Sequence, residues 1–163
     1  MGSFRNLKAI RDGERGVTLV ELIVVIGILL VLVGIAVPDS QSEDLAGAEA
    51  RRLMSDGMRA RSVARSQWTP CGVRVHVPTR RWRVQRDDGT PILGPDSDSD
   101  GWRTLAPGVR FVKITRRDPY FVFLPNGRTY RDAAIIISDD VTSWEVSSNA
   151  LSGQINSWPT ELP

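Results

Sequence analysis

The run from Val17 to Val37, VTLVELIVVIGILLVLVGIAV, carries one charge, Glu21. As a helix rising about 1.5 Å per residue it reaches roughly 31 Å, enough to cross a hydrocarbon core of about 30 Å. Arg5, Lys8, Arg11 and Arg15 precede it, and no Lys or Arg follows until Arg51. That asymmetry predicts residues 1–16 in the cytoplasm and the rest of the chain outside. Three simpler readings compete. A cleaved secretory signal has a shorter apolar region, and the small-residue site Ala46-Gly47-Ala48 lies well past this run. A plain single-span anchor is the second. A buried core helix is the third, and the length and basic flank oppose it.

Glu21 is the informative residue. A carboxylate inside an apolar span is costly and implies a partner; the alternative is a residue near a helix end that reaches to the interface. Gly16 stands just before the run, and Glu21 is the fifth residue after it. Cleavage between Gly16 and Val17 would create an ammonium at Val17. Glu21 of one subunit could then pair with that amine on its neighbour, fixing the register of a helical assembly.

The stretch GVTLVELIVVIGILLVLVGIAVP resembles the class III signal of type IV pilins and type II secretion pseudopilins. That family has a basic leader, Gly, an apolar start, Glu at the fifth place and Pro at the twenty-second. Counting from Val17, Glu21 and Pro38 occupy those places. Val17 departs from the usual Phe or Met. The resemblance implies cleavage after Gly16 and N-methylation of Val17 by a prepilin peptidase. Gly27, Gly34 and Pro38 weaken the helix and suit a stem that partly unwinds in a filament.

From Asp39 to about Gln67 the pattern is helical. Ala46, Ala50, Leu53, Gly57, Ala60 and Ala64 recur at helical spacing, with Met54, Met58 and Val63 beside them. Arg51, Arg52, Arg59, Arg61 and Arg65 occupy much of the remaining surface, and Asp39 or Ser40 is the expected cap. After Gln67 the chain reads as strands: Gly72–Val77, Arg81–Gln85, Val109–Ile114, Tyr120–Leu124, Ala133–Ser138 and Ser143–Ser147, with a last one near Leu151–Ile155. Pro78-Thr79, Asp88-Gly89, Pro107-Gly108, Pro125-Asn126-Gly127 and Ser152-Gly153 mark the turns. One long helix followed by many strands is an α+β arrangement.

This second part resembles the H-type minor pseudopilins of the GspH/FimT group over residues 50–156. The likeness rests on ARSVARSQWTPCGVRV at the entry to the first strand, on Phe123-Leu124-Pro125-Asn126-Gly127, and on WEVSSNALSGQI near the end. It implies a pilin-like fold, a long N-terminal helix packed on small antiparallel sheets. The expected organisation is a leader at 1–16, a transmembrane or filament-stem helix at 17–37, a periplasmic amphipathic helix at 38–67 and a β-rich globular domain at 68–163.

Catalytic chemistry finds little support. His76 and Cys71 are the one histidine and the one cysteine, so no internal disulfide forms. Their odd spacing puts them on opposite faces of a continuous strand. No Walker loop, GxSxG elbow or HExxH occurs. Asp96-Ser97-Asp98-Ser99-Asp100-Gly101 begins like a calcium loop, with Asp96, Asp98 and Asp100 as the carboxylates. Pro107 stands where the closing Glu would be needed, so a solvated acidic loop is the favoured reading and no metal or cofactor is assigned. The five tryptophans, Trp68, Trp82, Trp102, Trp144 and Trp158, are read as core or sheet-edge residues.

The net charge of +2 resides in residues 1–16; the remainder is neutral but polarised. Residues 51–86 hold ten Arg against one acid, Asp56, whereas residues 39–50 hold four acids and no base. Arg51, Arg52, Arg59, Arg61, Arg80, Arg81 and Arg83, with Trp82 to stack, could contact nucleic-acid phosphates. The favoured alternative is a face that meets acidic neighbours in a filament, such as their residues 39–50. The Gly-Arg-x-Arg motif of DNA-binding FimT-like proteins is absent; Gly153-Gln154-Ile155-Asn156 stands in its place.

The combined expectation is a minor pseudopilin of a type II secretion system, held in the inner membrane by a single span with its globular part in the periplasm. Its expected partners are the prepilin peptidase, other pseudopilins, the inner-membrane assembly platform, membrane lipid and secreted substrate proteins. The alternative is a FimT-like minor pilin of a type IV pilus aiding DNA uptake; a membrane-anchored enzyme is opposed by the Gly16/Glu21/Pro38 spacing.

Overall fold

The computed structural model describes residues 18–36, 44–115 and 121–161. Two units are present, residues 1–42 and 43–163. The described part of the first is α1 (Leu19–Ala36), opened by Thr18, whose Oγ1 accepts a hydrogen bond from the Glu21 amide at 3.2 Å. Its apolar residues run all round, and every side chain described, Leu19 to Leu29, is exposed. A helix apolar on every side, with one carboxylate in its first turn, has no extended polar face for water and fits an apolar environment.

The second unit is α2 (Leu45–Ser66) packed on two antiparallel sheets. Strands β1 (Cys71–His76), β2 (Arg81–Arg86), β3 (Trp102–Thr104) and β5 (Phe121–Phe123) form one, in the order β3-β2-β1-β5. Strands β4 (Arg110–Ile114), β6 (Ala133–Ser138), β7 (Ser143–Ser148) and β8 (Ile155–Pro159) form the other, in the order β4-β6-β7-β8. Helix α2 packs on both. The stripe of Ala46, Ala50, Leu53, Gly57, Ala60 and Ala64 is buried as its spacing predicts. These small side chains bring the helix close to Val73, Val84, Ile135, Ile137 and Val146, all at most 1% exposed.

The helix starts later than expected. Asp44, not Asp39 or Ser40, is its cap: Oδ1 accepts from the Gly47 amide at 2.8 Å and also from Thr142 Oγ1 and Trp144 Nε1. A cap shared with the β6–β7 turn and β7 is anchored by tertiary contacts, which the local sequence cannot show. Asp39, Ser40 and the predicted kink at Pro38 lie outside the described residues.

Asp139, in the β6–β7 turn, supports the same helix end. Burial alone would raise its carboxyl, but amide hydrogen bonds from Thr142, Ala46 and Val141 outweigh that and hold it below the usual aspartate value. A lowered folded value means that Asp139 stabilises the fold above the unfolded value and ceases to do so as pH falls through the folded one. Asp139→Asn is therefore expected to lower the melting temperature at pH 7, with the difference from the unsubstituted chain shrinking below about pH 4. Paired thermal melts at pH 7 and pH 3 check this; an equal difference at both would refute it.

Two sheet features depart from the sequence reading. Strand β3 was not anticipated, because three residues beside an Asp-rich loop carry no alternation; Trp102 and Arg103 are placed by pairing with β2. The last strand is Ile155–Pro159, not Leu151–Ile155. Leu151 and Ser152 belong to a turn, in which Asn149 Oδ1 accepts from both of their amides at 3.0 Å. That Asx turn delays strand entry.

Candidate assembly surface

Helix α1 presents Leu19, Val20, Ile23 and the exposed Glu21 with no partner among the described residues for their side chains. Gly16 and Val17, expected to flank the cleavage site, and Pro38, expected to kink the helix, lie outside the described residues. Among the described residues no helix is long and apolar enough to cross a membrane. Helix α1 has 18 residues, which at about 1.5 Å each span some 27 Å.

The arginine-rich region is more internally committed than its composition suggests. Glu49 and Asp56, two turns apart on α2, are buried, and Arg52 and Arg59 pair with them at i+3, each at 3.1 Å. Asp56 also accepts from Trp82 Nε1 at 2.8 Å and pairs with Arg103 at 3.1 Å. Arg59 and Arg103 then reach the carbonyls of Ile92, Leu93 and Pro95, tying that loop to α2. Burial pushes the Glu49 carboxyl up, with Arg52 opposing it.

Of the other candidate nucleic-acid residues, Arg51, Arg81 and Arg83 are taken up by separate parts of the fold. Arg51 lies over the Trp144 ring, 5.3 Å from its centroid. Arg81 bonds Thr104 Oγ1 and faces Asp98 at 3.7 Å. Arg83 stacks on Trp102 at 4.7 Å and bonds Gln85. Arg80 is exposed in the β1–β2 turn at φ 52°. Trp82, proposed for stacking, is 1% exposed and hydrogen-bonded inside.

The acidic loop also has local employment. Asp98 Oδ1 accepts from the amides of Asp100 and Trp102, at 3.0 and 2.7 Å. No group of three acid, histidine or cysteine side chains able to hold a metal occurs among the described residues. Cys71 is buried, while His76 is exposed and shares a 2.7 Å hydrogen bond with Thr79 Oγ1, so the two point to opposite faces of β1.

A concavity lies at the C-terminal end of α2. It measures about 640 Å³ and is lined by Met58, Arg61, Arg65, Trp68, Pro125 and Asn126 with two serines. Trp68 is 75% exposed and has φ 53°, which a bulky residue adopts only under local constraint. The constraint is the helix terminus, where the Thr69 amide returns to the Ala64 carbonyl. This corrects the reading of all five tryptophans as core or edge residues. The sequence held a signal in Gln67-Trp68-Thr69-Pro70, an aromatic in a turn between helix and strand that neither pattern absorbs.

A family model described as the prokaryotic N-terminal methylation motif matches residues 11–37. A second, described as type II transport protein GspH, matches residues 49–152. No curated protein matches in sequence. In fold, the chain is similar to the minor pseudopilin EpsH of the Vibrio cholerae type 2 secretion system, with TM-score 0.56 and 18% identity over 71% of this chain and 98% of that one. It is also similar to the type IV minor pilin FimU of Pseudomonas aeruginosa, with TM-score 0.50 and 18% identity over 70% of this chain and 88% of that one.

Proposed function

Because the chain belongs to the type II transport protein GspH family, we propose that it works as a minor pseudopilin of a type II secretion system. The observation that carries this reading is the succession of two matches in one chain, a methylation motif at 11–37 and a GspH domain at 49–152. Prepilin peptidase cuts between Gly16 and Val17 and methylates the new amine. The helix from Val17 to Val37 holds the subunit in the inner membrane, with the domain in the periplasm, until it is extracted into a pseudopilus. Apolar burial of the α1 side chains against neighbouring stems then drives packing, since leaving them in water is unfavourable by about 25 cal/mol per Å². Glu21 and the Val17 amine set the register, replacing two uncompensated charges by one paired contact.

Deletion of the gene is expected to remove proteins from the culture supernatant while pili and transformation persist. The opposite pattern would replace this reading with a type IV minor pilin, the class to which the likeness to FimU points. Intact mass of the membrane-extracted protein tests processing. It should lack Met1–Gly16 and carry one added methyl group, and Gly16→Val should leave the full leader in place. Glu21→Ala should still be cleaved but fail to enter filaments. A full-length wild-type chain in cells with an active peptidase would sink the proposal.

A further inference from the structure

The groove at the end of α2 combines features that solvated surfaces seldom group. Met58 and Trp68 are 48% and 75% exposed, Pro125 also lines the groove, and Arg61 and Arg65 supply the charge. Tryptophan and arginine are the residue types that dominate binding energy at protein interfaces. Arg61 is already oriented, its Nε donating to the Gly127 carbonyl at 2.8 Å and its Nη2 to the Ser152 carbonyl at 3.0 Å. Two neutral carbonyls leave its positive charge uncompensated. Arg65 makes no hydrogen bond or ion pair among the described residues. Elsewhere on α2, Arg52 and Arg59 have carboxylate partners and Arg51 lies over the Trp144 ring, so Arg61 and Arg65 are the arginines of this helix with neither among the described residues.

Building on the filament reading above, we propose that this groove docks an acidic, proline-bearing segment of a neighbouring filament subunit. Trp68 and Met58 would cover its apolar residues, while Arg61 and Arg65 would receive its carboxylates. Such a segment exists in this chain itself: Val37-Pro38-Asp39-Ser40-Gln41-Ser42-Glu43 carries two acids, a proline and no base. Asp39 is five positions from Asp44, a covalent reach of at most about 18 Å. Arg65 lies some 32 Å from Asp44 along α2, at about 1.5 Å per residue, a gap that the Arg and Asp side chains do not close. The contact proposed, which engages Arg65, is made between subunits. It joins unlike surfaces, the kind of contact that propagates into an open helical assembly. A nucleic acid fits less well. Only two arginines line the groove, and one is already tied to carbonyls, whereas phosphate-driven affinity needs several free cations.

The test uses the full chain in detergent micelles and a fluorescent peptide of residues 37–44, followed by anisotropy at low and moderate salt. Salt-sensitive binding is expected, weakened at least tenfold by Arg65→Glu and by Trp68→Ala. A peptide with lysine in place of both Asp39 and Glu43 should bind Arg65→Glu better than it binds the unsubstituted chain. Absence of binding, or binding unchanged by Arg65→Glu, would overturn the proposal. So would a single-stranded oligonucleotide displacing the peptide from the groove. Far-ultraviolet circular dichroism of each variant, expected to match that of the unsubstituted chain, checks that the variants are folded. If leader removal and secretion are normal while the peptide fails to bind, only the docking inference falls. If processing fails, the filament reading falls with it.

Discussion

Asp56→Ala is expected to destabilise the globular unit by about 3–5 kcal/mol, the cost of breaking a buried ion pair by deleting one partner. The carboxylate is 3% exposed and holds three donors together: Arg59, Arg103 and the Trp82 indole. Removing it leaves two guanidinium groups uncompensated next to the core and an indole N–H without an acceptor. Arg59 and Arg103 also hold the 92–95 loop through its carbonyls, so that loop and β3 should lose hydrogen-exchange protection beyond the rest of the fold. Asp56→Asn keeps the shape and one acceptor, and is expected to fall between the two. Urea denaturation at pH 7, followed by tryptophan fluorescence, provides the measurement. A loss below about 1 kcal/mol would mean the cluster contributes no more than an exposed pair.

Gly153→Ala is the second large effect, expected at about 2–4 kcal/mol from overpacking and backbone strain together. Gly153 has φ 63°, and an added Cβ would lie 1.9 Å from the Gly127 carbonyl oxygen. That oxygen belongs to backbone and also accepts from Arg61 Nε, so it cannot move away without releasing the arginine. Gly89→Ala is the matched control. It has φ 84° with nothing within 4 Å of the added carbon, so it carries the conformational cost alone, about 1 kcal/mol. If the two substitutions cost the same in thermal melts, the close approach of the two loops contributes nothing. Because Gly127 and Ser152 position Arg61, Gly153→Ala should also weaken peptide binding at the groove beyond what its stability loss explains.

The two glycines illustrate how much of the fold could be read in advance. Both stand in turns that the sequence marks, Asp88-Gly89 and Ser152-Gly153. Only the meeting of residue 153 with residue 127 separates their roles. The same division holds along α2. Its buried stripe of small residues follows from helical spacing, and all six predicted positions are buried. Its cap could not be read, since Asp44 is selected by Thr142 and Trp144, about a hundred positions away. Asp56 stood out as the one acid among ten arginines, yet composition implied a free cationic face. The pairing with Arg103 and Trp82 brings together residues from three elements and consumes part of that charge. Trp68 fails in the other direction. Tryptophan is ordinarily buried on average, and its exposure here follows from where the helix stops.

Periodicity and punctuation are local properties, so the chain carried them openly. They comprise the apolar run with its basic flank and one carboxylate, the small-residue face of the second helix, the alternation of β1 and the turn positions. They were enough for the family resemblance and the α+β architecture, because each repeats within a few residues or sits at a fixed count from Gly16. The sheet order, the short strand at Trp102–Thr104, the burial of Glu49 and Asp56 and the groove at Trp68 depend on which distant segments touch. Those contacts are fixed by packing and hydrogen-bond satisfaction over the whole domain. No window of the sequence contains both partners, and so the two α2 arginines with neither a carboxylate nor a ring partner among the described residues, Arg61 and Arg65, emerge only from the folded domain.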